Sequence, residues 1–357
     1  MKILYAIQGT GNGHISRAME IVPLLKERAD VDVLVSASQW DLPLPFPVDY
    51  RMKGFGFVFG KKGGVDILNT YLEMDSLQLM REIRNLPVDK YDLVISDFEP
   101  VSTWACKLKK KVCIGLSNQA ATLHPLAPKP ETIDPFGKLI LERYAPCTQQ
   151  YGFHFKAFDD KVYTPIIRKE VRHAAISDHG HITVYLPSFD DELILNKLRH
   201  YTNTRFEIFS KQRKSMYRER NFSVFPLNNS SFIRSMASSS GVISNAGFGA
   251  VSEALFLNKK CLVIPMKTQF EQQCNAAVLE SMGVTVIKNL KKKNYETISG
   301  WLSEGKPIPV NYPDQTAALL DMIIERHGGQ LLNEQGTDSD MRFLRKLLAP
   351  RHAAAAF

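Results

Sequence analysis

Apolar and polar residues follow one another along this chain in a pattern that predicts alternating strands and helices. Short apolar runs between turn residues are typical of buried strands, and apolar residues spaced three and four apart are typical of amphipathic helices. The runs that predict strands lie at 3–7, 31–36, 92–96, 112–116, 182–186, 205–209, 222–225, 241–244, 261–264 and 284–287. The spacing that predicts helices lies at 15–28, 66–86, 101–109, 136–144, 190–200, 229–238, 294–303, 313–326 and 339–348. This alternation predicts two α/β halves with parallel sheets, whose ligands bind at the carboxyl ends of the strands.

Some segments lack this periodicity. Residues 40–64 are rich in Pro, Gly and Phe and are predicted to be irregular. Residues 118–135 are rich in proline and predict a long loop, a feature that is often functional. Residues 153–178 have no clear helical spacing and are predicted to contain the connection between two domains. We therefore predict an N-terminal domain at 1–165, a C-terminal domain at 166–329, and a helix within 330–350 that packs back onto the N-terminal domain.

Length and composition narrow the class of protein. A chain of 357 residues is long enough for two domains, and 44% hydrophobic residues are enough for a core in each. The five cysteines are scattered without CxxC spacing, which favours a cytoplasmic protein without a zinc site. No apolar run reaches the roughly 18–20 residues that span a bilayer. The net charge of +8 is scattered, so we predict no nucleic-acid partner and leave open a peripheral contact with the inner face of the membrane.

Residues 241–276 combine an apolar strand, a turn of small residues and the start of a helix. The free N–H groups and the dipole of a helix N-terminus favour an anion at that place. Glu253 lies one turn into the helix, where a carboxylate is poorly placed to bind phosphate but well placed to accept hydrogen bonds from sugar hydroxyls. The combination predicts a site for a sugar nucleotide.

The N-terminal glycine turn, Gly9-x-Gly11-x-Gly13, is similar to a dinucleotide fingerprint but departs from it in two ways. His14 takes the place of the third glycine, and the next strand ends at Val35-Ser36 without an acidic residue. These departures disfavour NAD and leave either a tight turn or a loop that approaches a substrate closely. His14 and Asp97 are both predicted at the same sheet edge, which allows a general base held by a carboxylate or two helix caps.

The spacing of several motifs resembles the donor-binding region of the GT-B glycosyltransferases, in particular the families of UDP-glucuronosyltransferases, plant and antibiotic glycosyltransferases, and MurG. The matching motifs are Asn245-x-Gly247, Glu253, Leu262-Val-Ile-Pro265, Glu271-Gln272-x-x-Asn275-Ala276 and Gly11-x-Gly13-His14. Two departures are Asn245, where many relatives have histidine, and Lys259-Lys260, where a glycine is usual. The resemblance implies a GT-B fold, in which two Rossmann-like domains face each other across a cleft.

The resemblance also implies a role for each matching residue. His14 is implied as the catalytic base or an acceptor contact supported by Asp97, with Gly11, Asn12 and Gly13 as the acceptor-side loop. The implied donor contacts are Ser244, Asn245, Gly247, Phe248 and Gly249 for the diphosphate, Glu253 for the ribose, Gln269, Glu271 and Gln272 for the sugar, and Phe225, Pro226 and Leu227 for the base.

The implied activity is inverting transfer of a sugar from a nucleoside diphosphate, with UDP expected, to an acceptor hydroxyl. No cofactor and no metal are expected, because backbone amides and a helix dipole can stabilise the leaving diphosphate. A UDP-sugar 2-epimerase and a nucleotide-sugar-binding protein without turnover remain alternatives. The expected oligomeric state is a monomer or a homodimer.

The acceptor is the part of the substrate pair that the sequence specifies least. Relatives that glycosylate lipids or cell-envelope glycan precursors make such an acceptor one expectation. Phe55, Phe57 and Phe59 alternate, which predicts either a strand that buries one face or an apolar groove for the acceptor.

Overall fold

The computed structural model of the protein describes residues 1–37, 44–54, 75–267 and 269–329, which form two seven-stranded sheets. The first sheet contains β1 (Lys2–Gln8), β2 (Asp30–Ser36), β3 (Tyr50–Met52), β4 (Leu93–Asp97), β5 (Cys113–Ser117), β6 (Gln149–Phe153) and β7 (Val162–Tyr163). Its strands run parallel in the order β3-β2-β1-β4-β5-β6-β7. The carboxyl ends of β1, β4 and β5 are therefore neighbours at one edge.

The second sheet contains β8 (His181–Tyr185), β9 (Arg205–Ser210), β10 (Tyr217–Glu219), β11 (Phe222–Pro226), β12 (Gly241–Ser244), β13 (Lys260–Val263) and β14 (Thr285–Val286). Its order is β10-β11-β9-β8-β12-β13-β14, and β10 pairs antiparallel with β11 while the other neighbours are parallel. The carboxyl ends of β8, β12 and β13 are adjacent in this sheet.

Twelve α-helices cover the two sheets in the described ranges. In the first half these are α1 (Asn12–Lys26), α2 (Ser76–Asn85), α3 (Pro100–Leu108), α4 (Asn118–Thr122) and α5 (Pro135–Arg143). The others are α6 (Lys169–Arg172), α7 (Asp191–Leu198), α8 (Asn229–Ser238), α9 (Phe248–Phe256), α10 (Phe270–Ser281), α11 (Tyr295–Glu304) and α12 (Thr316–His327). Single 3-10 turns lie at Val88–Lys90 and Lys292–Asn294. None of these helices is long and apolar enough to cross a membrane.

The continuous apolar run in β1 is explained by helices on both faces of the sheet. Ile3 to Ile7 are all fully buried, as central strands of a parallel sheet are. α12 returns from the second half to pack against α1, where Arg28 Nε donates to Asp321 Oδ1 at 2.5 Å. His327 Nε2 lies 2.8 Å from the hydroxyl of Tyr151 in β6. The end of the described chain is thus joined to the first sheet.

The predicted order of strands and helices is confirmed in both halves, with differences in the short elements. The periodicity did not reveal β7, β10 or α6, which have only two to four residues, or β6, whose sequence Gln-Gln-Tyr-Gly-Phe contains no apolar run. The prediction of a continuous loop at 118–135 is wrong at its start, where Ser117 accepts a hydrogen bond from the N–H of Ala120 and α4 begins. The aromatic stretch 55–60 and the helix predicted within 330–350 lie outside the described residues.

Close packing of α4 on β6 requires a glycine. A Cβ on Gly152 would lie 2.6 Å from both the backbone nitrogen and the Cβ of Ala121. Such contacts are too short for any residue that carries a Cβ, so Gly152 sets how closely α4 lies against the sheet. α4 carries Asn118 and Gln119, and both line the cleft described below.

We expect Gly152→Ala to lower the free energy of unfolding by about 1–3 kcal/mol, because the new methyl group overpacks against a helix backbone. Urea denaturation measures the change. The matched control is Gly300→Ala in α11, where a Cβ meets nothing within 4 Å and removal of a helical glycine should add about 0.5–1 kcal/mol. Equal effects of the two substitutions would contradict the packing argument.

Candidate functional site

A cleft of about 850 Å³ lies between the two sheets, at the carboxyl ends of β1, β4 and β5 on one side and of β8, β12 and β13 on the other. Most of the residues that the sequence predicted for the site line it together. They are Gly11, Asn12, Gly13, His14, Leu227, Ser244, Asn245, Gly247, Phe248, Gly249, Glu253, Gln269, Glu271 and Gln272. Asp97 lies behind His14 and is fully buried.

The N-terminal glycine turn brings backbone close to the cleft. Gly11 has φ 98°, a conformation that glycine adopts without the steric cost of a side chain, and α1 begins directly after it without a side-chain cap. A Cβ on Gly11 or Gly13 would meet no protein atom within 4 Å. The surface beside this turn is therefore open to a ligand.

His14 and Asp97 form a buried hydrogen-bonded pair. His14 Nδ1 lies 2.8 Å from Asp97 Oδ1, which requires a proton on Nδ1 because an ionised carboxylate only accepts. His14 Nε2 lies 3.4 Å from the side-chain nitrogen of Gln119, a donor, and so presents a lone pair. Asp97 and Gln119 favour the tautomer that carries its proton on Nδ1 and keeps Nε2 as the acceptor, while Arg17 Nη2, which is a donor, also lies 3.1 Å from Nδ1.

Arg17 completes this group, and the sequence reasoning missed it. It donates to Asp97 Oδ2 from Nε at 2.8 Å and to Oδ1 from Nη2 at 2.6 Å. Burial alone opposes ionisation of Asp97, but the charge of Arg17 and the hydrogen bonds with Arg17 and His14 outweigh burial and lower the pKa of Asp97. Arg17 lies three residues after His14 on the same face of α1, and that spacing was the signal available in the sequence.

The turn after β4 holds Phe98 in an unusual conformation. Phe98 has φ 55°, a region that non-glycine residues visit at a cost of about 1–3 kcal/mol. Glu99 stabilises the turn, because its buried carboxylate accepts from the N–H groups of Val101 and Ser102 and from the hydroxyl of Ser36. Burial raises the pKa of Glu99, and these donors offset only part of the rise. The result is a phenyl ring whose plane is 8° from that of His14, with centroids 6.4 Å apart.

Two side chains of α4 connect the halves across the cleft. Asn118 Nδ2 donates to Glu271 Oε1 at 2.8 Å, and Gln119 Nε2 donates to Glu271 Oε2 at 2.9 Å. Sequence analysis placed Glu271 in the site but not its partners, although polar residues directly after a buried strand were a usable signal. Gln119 therefore contacts both Glu271 and His14.

The glycine turn before α9 also faces open space. Gly247 is the N-cap of α9 and has no side chain that could accept a hydrogen bond from the first N–H groups of the helix. These N–H groups lie at the cleft without a side-chain acceptor. A Cβ on Gly247 or Gly249 would meet no protein atom within 4 Å, and neither residue has positive φ. Neither the fold nor the backbone conformation explains these two glycines, whereas close approach of a ligand does.

Asn245 supports the wall of the cleft that the second sheet forms. Its Oδ1 accepts from the Ser188 hydroxyl at 2.9 Å, and its Nδ2 donates to the carbonyl of Ile264 at 2.8 Å. It thereby ties together the loops after β8 and β13. Lys259 and Lys260, the other departure from the expected motif, bind backbone carbonyls of Ser177 and of residues 301 and 302, and neither lines the cleft.

Glu253 is held by an arginine that the sequence did not indicate. Arg168 donates to Glu253 Oε1 from Nε at 2.5 Å and to Oε2 from Nη2 at 2.6 Å, and it also donates to Asn229 Oδ1. Arg168 and Glu253 are 85 residues apart in the chain, so no local sequence pattern could pair them. The bidentate pair leaves lone pairs on both carboxylate oxygens for further donors.

The remaining predicted residues separate into two groups. Gln269 and Gln272 line the cleft, and Gln272 Oε1 accepts from the N–H of Met266 at 3.1 Å. Among the three residues proposed for the base, Leu227 lines the cleft, whereas Phe225 stacks on Phe209 with centroids 5.3 Å apart and faces another cavity. The structure thus brings Leu227 into the cleft but not Phe225.

In the ranges that the structure describes, no three His, Cys, Asp or Glu side chains come together as a metal site would require.

Comparisons with known proteins agree with the two-sheet architecture described above. A family model described as "Glycosyl transferase family 1" matches residues 1–304. MurG from Acinetobacter baumannii has a similar structure, with 15% sequence identity and a TM-score of 0.56 over 91% of this chain and 100% of that one. A sequence search of curated proteins finds no match.

Two further solved structures are similar over nearly the whole chain. A UDP-glucosyltransferase from Polygonum tinctorium capable of glucosylating indoxyl has 14% identity and a TM-score of 0.55 over 97% of each chain. LpCGTa, solved in complex with UDP, has 14% identity and a TM-score of 0.56 over 97% of this chain and 98% of that one. At these identities the similarity shows the fold alone, and it confirms the predicted GT-B fold.

We expect Arg168→Met to lower the free energy of unfolding by about 3–5 kcal/mol, because it leaves the buried Glu253 charge without a partner. The matched control is Arg199→Met, which removes a pair of similar length, 2.6 Å to Glu219, between side chains that are both 39% exposed. That exposed pair should be worth at most about 1 kcal/mol. Urea denaturation of both variants checks the difference, and equal losses would contradict the importance of burial.

Proposed function

The chain belongs to glycosyl transferase family 1 and is a glycosyltransferase, and from this premise we propose that it moves a sugar from UDP to an acceptor hydroxyl with inversion at the anomeric carbon. One observation carries the proposal. The cleft has an open, glycine-flanked helix N-terminus on one wall and a histidine with an accepting Nε2 on the other. A leaving diphosphate and an attacking hydroxyl need these two features on opposite sides of the transferred sugar.

The donor diphosphate is proposed to bind at the start of α9. The open positions beside Gly247 and Gly249 allow phosphate oxygens to approach the amides of Phe248, Gly249 and Ala250. Free amides and the helix dipole favour the two negative charges there. The choice of UDP draws on the Polygonum UDP-glucosyltransferase and on LpCGTa with UDP, which share the fold.

We propose that Glu253 accepts hydrogen bonds from the ribose hydroxyls. Arg168 fixes the orientation of its carboxylate while leaving lone pairs for those hydroxyls. Gln269, Glu271 and Gln272 follow at the start of α10, on the same side of the cleft, and are proposed to contact the donor sugar. Glu271 would then exchange or share its present partners, Asn118 and Gln119, when the sugar binds.

The proposed reaction is a single in-line displacement. The acceptor oxygen forms a bond to the anomeric carbon while the bond from that carbon to the diphosphate oxygen breaks, and the proton of the acceptor moves to His14 Nε2. Asp97 keeps Nδ1–H in place and stabilises the imidazolium that forms. Amides at the α9 N-terminus stabilise the charge on the leaving diphosphate, a contribution that requires no metal ion or cofactor.

Gly249→Ala tests the diphosphate site. The added methyl group enters open space at the second position of α9, so we expect the free energy of unfolding to change by less than about 0.5 kcal/mol. UDP should bind at least about tenfold more weakly, which corresponds to roughly 1.4 kcal/mol. Isothermal titration with UDP measures this, and Gly300→Ala is the control. Undiminished UDP affinity would place the diphosphate elsewhere.

His14→Ala tests the base. Asp97 keeps both hydrogen bonds from Arg17 in this variant, so the site should stay folded. We expect kcat for transfer to fall by about 10²–10⁴, with UDP affinity retained. The matched control is His124→Ala, which removes another His–Asp pair, 2.7 Å between His124 Nε2 and Asp159 Oδ2, outside the cleft. A loss in kcat no larger than that of the control would exclude His14 as the base.

A further inference from the structure

Three buried polar atoms in the cleft lack a hydrogen-bond partner in the described part of the chain. All three are glutamine side-chain oxygens, belonging to Gln8, Gln119 and Gln269. Buried acceptors without donors are rare in folded proteins and call for an explanation. Gln269 lies on the donor side, whereas Gln8 and Gln119 lie on the side of His14, where the acceptor must bind.

The orientation of Gln119 is fixed by its neighbours. Its nitrogen donates to the Glu271 carboxylate, and the opposite orientation would set oxygen against oxygen. Its Oε1 therefore stays an acceptor without a donor, on a side chain only 6% exposed. This oxygen requires an O–H or N–H group from a ligand.

Gln8 presents a second such oxygen. It ends β1, is 3% exposed, and lies with its amide nitrogen 3.0 Å from the Thr10 hydroxyl, and in this orientation of the amide its Oε1 has no partner. Phe98 follows β4, which lies between β1 and β5 in the sheet, and it lines the same cleft as Gln8 and Gln119. The acceptor side of the cleft thus has two acceptor oxygens and an aromatic ring.

Phe98 adds an apolar surface next to the base. Its ring is partly exposed, lines the cleft, and runs nearly parallel to the His14 imidazole. The backbone holds it there despite a positive φ of 55°, and Tyr144 packs against it with centroids 4.9 Å apart. Such a ring is suited to the C–H face of a sugar or to another flat molecule.

We propose that the acceptor is itself a carbohydrate, and this proposal rests on the glycosyl transfer proposed above. One sugar hydroxyl reacts at His14 Nε2, others donate to the oxygens of Gln8 and Gln119, and the C–H face of the ring lies on Phe98. A simple phenol also stacks on Phe98, but its single hydroxyl is consumed at His14 and leaves both glutamine oxygens buried without donors. A site built for hydroxyls rejects ligands that lack them for this reason.

Equilibrium binding tests the acceptor class without knowledge of the donor sugar. The UDP-bound protein is mixed with methyl glycosides of glucose, galactose and N-acetylglucosamine, and separately with phenol and 2-naphthol, and binding is followed by saturation-transfer NMR. We expect at least one methyl glycoside to bind and the phenols to bind at least tenfold more weakly. Binding of the phenols alone, or of none of these probes, overturns the carbohydrate proposal. Absence of UDP binding instead overturns the proposed function.

Gln119→Leu tests the specific contact. We expect at least a tenfold loss of affinity for the methyl glycoside that binds best, with UDP affinity retained as a check of folding. The matched control is Gln149→Leu at the exposed start of β6, which should bind the glycoside as the wild type does. Phe98→Leu is a second variant, with the same expected loss.

Deoxy analogues of that glycoside distinguish loss of the hydrogen bond to Gln119 from general damage to the site. In the wild type, removal of the hydroxyl that donates to Gln119 should weaken binding at least tenfold. In Gln119→Leu the same analogue should bind as well as its parent. If Gln119→Leu loses as much affinity as the wild type on removal of each sugar hydroxyl in turn, the assignment of Gln119 is overturned.

Discussion

The ionised carboxylate of Asp97 is the constraint around which the acceptor side is built. A negative charge with no solvent contact is tolerated only if it is paired and hydrogen-bonded, and Arg17 and His14 both supply that pairing from α1. The same contacts fix α1 against β4, hold the imidazole in one tautomer and turn its Nε2 to the cleft. The arrangement of His14, the proposed base, is therefore a consequence of satisfying the buried charge of Asp97.

The donor side follows the same rule with two further carboxylates. Glu253 is fixed by Arg168, which comes from the segment between the sheets, and Glu271 is fixed by Asn118 and Gln119 from the first half. Each contact joins parts of the chain that are distant in sequence. Together they couple the orientation of the proposed donor site to the packing of α4, and hence to Gly152, which allows α4 to lie close to β6.

Much of the architecture and many of the site positions were predictable because they depend on local pattern. Apolar runs and helical spacing predicted the order of strands and helices along the chain. The glycine turns at 11–13 and 247–249 lie in the cleft as expected. α4 was missed because five residues are too few for a helical period, and β6 was missed because it begins with two exposed glutamines and contains no apolar run. Phe225 lies outside the cleft and packs on Phe209, a contact between β11 and β9 that chain position alone does not indicate.

The sequence by itself determined the fold class, the two glycine turns and the positions of His14, Asp97, Glu253 and Glu271 at strand and helix ends, since each follows from local spacing or motif. Tertiary structure alone decided the partners: Arg168 for Glu253, and Gln119 for both His14 and Glu271. It also decided which buried oxygens lack a donor. The physical reason is that pairing of charges and hydrogen bonds across 80 to 150 residues depends on how the halves pack, which no local pattern encodes.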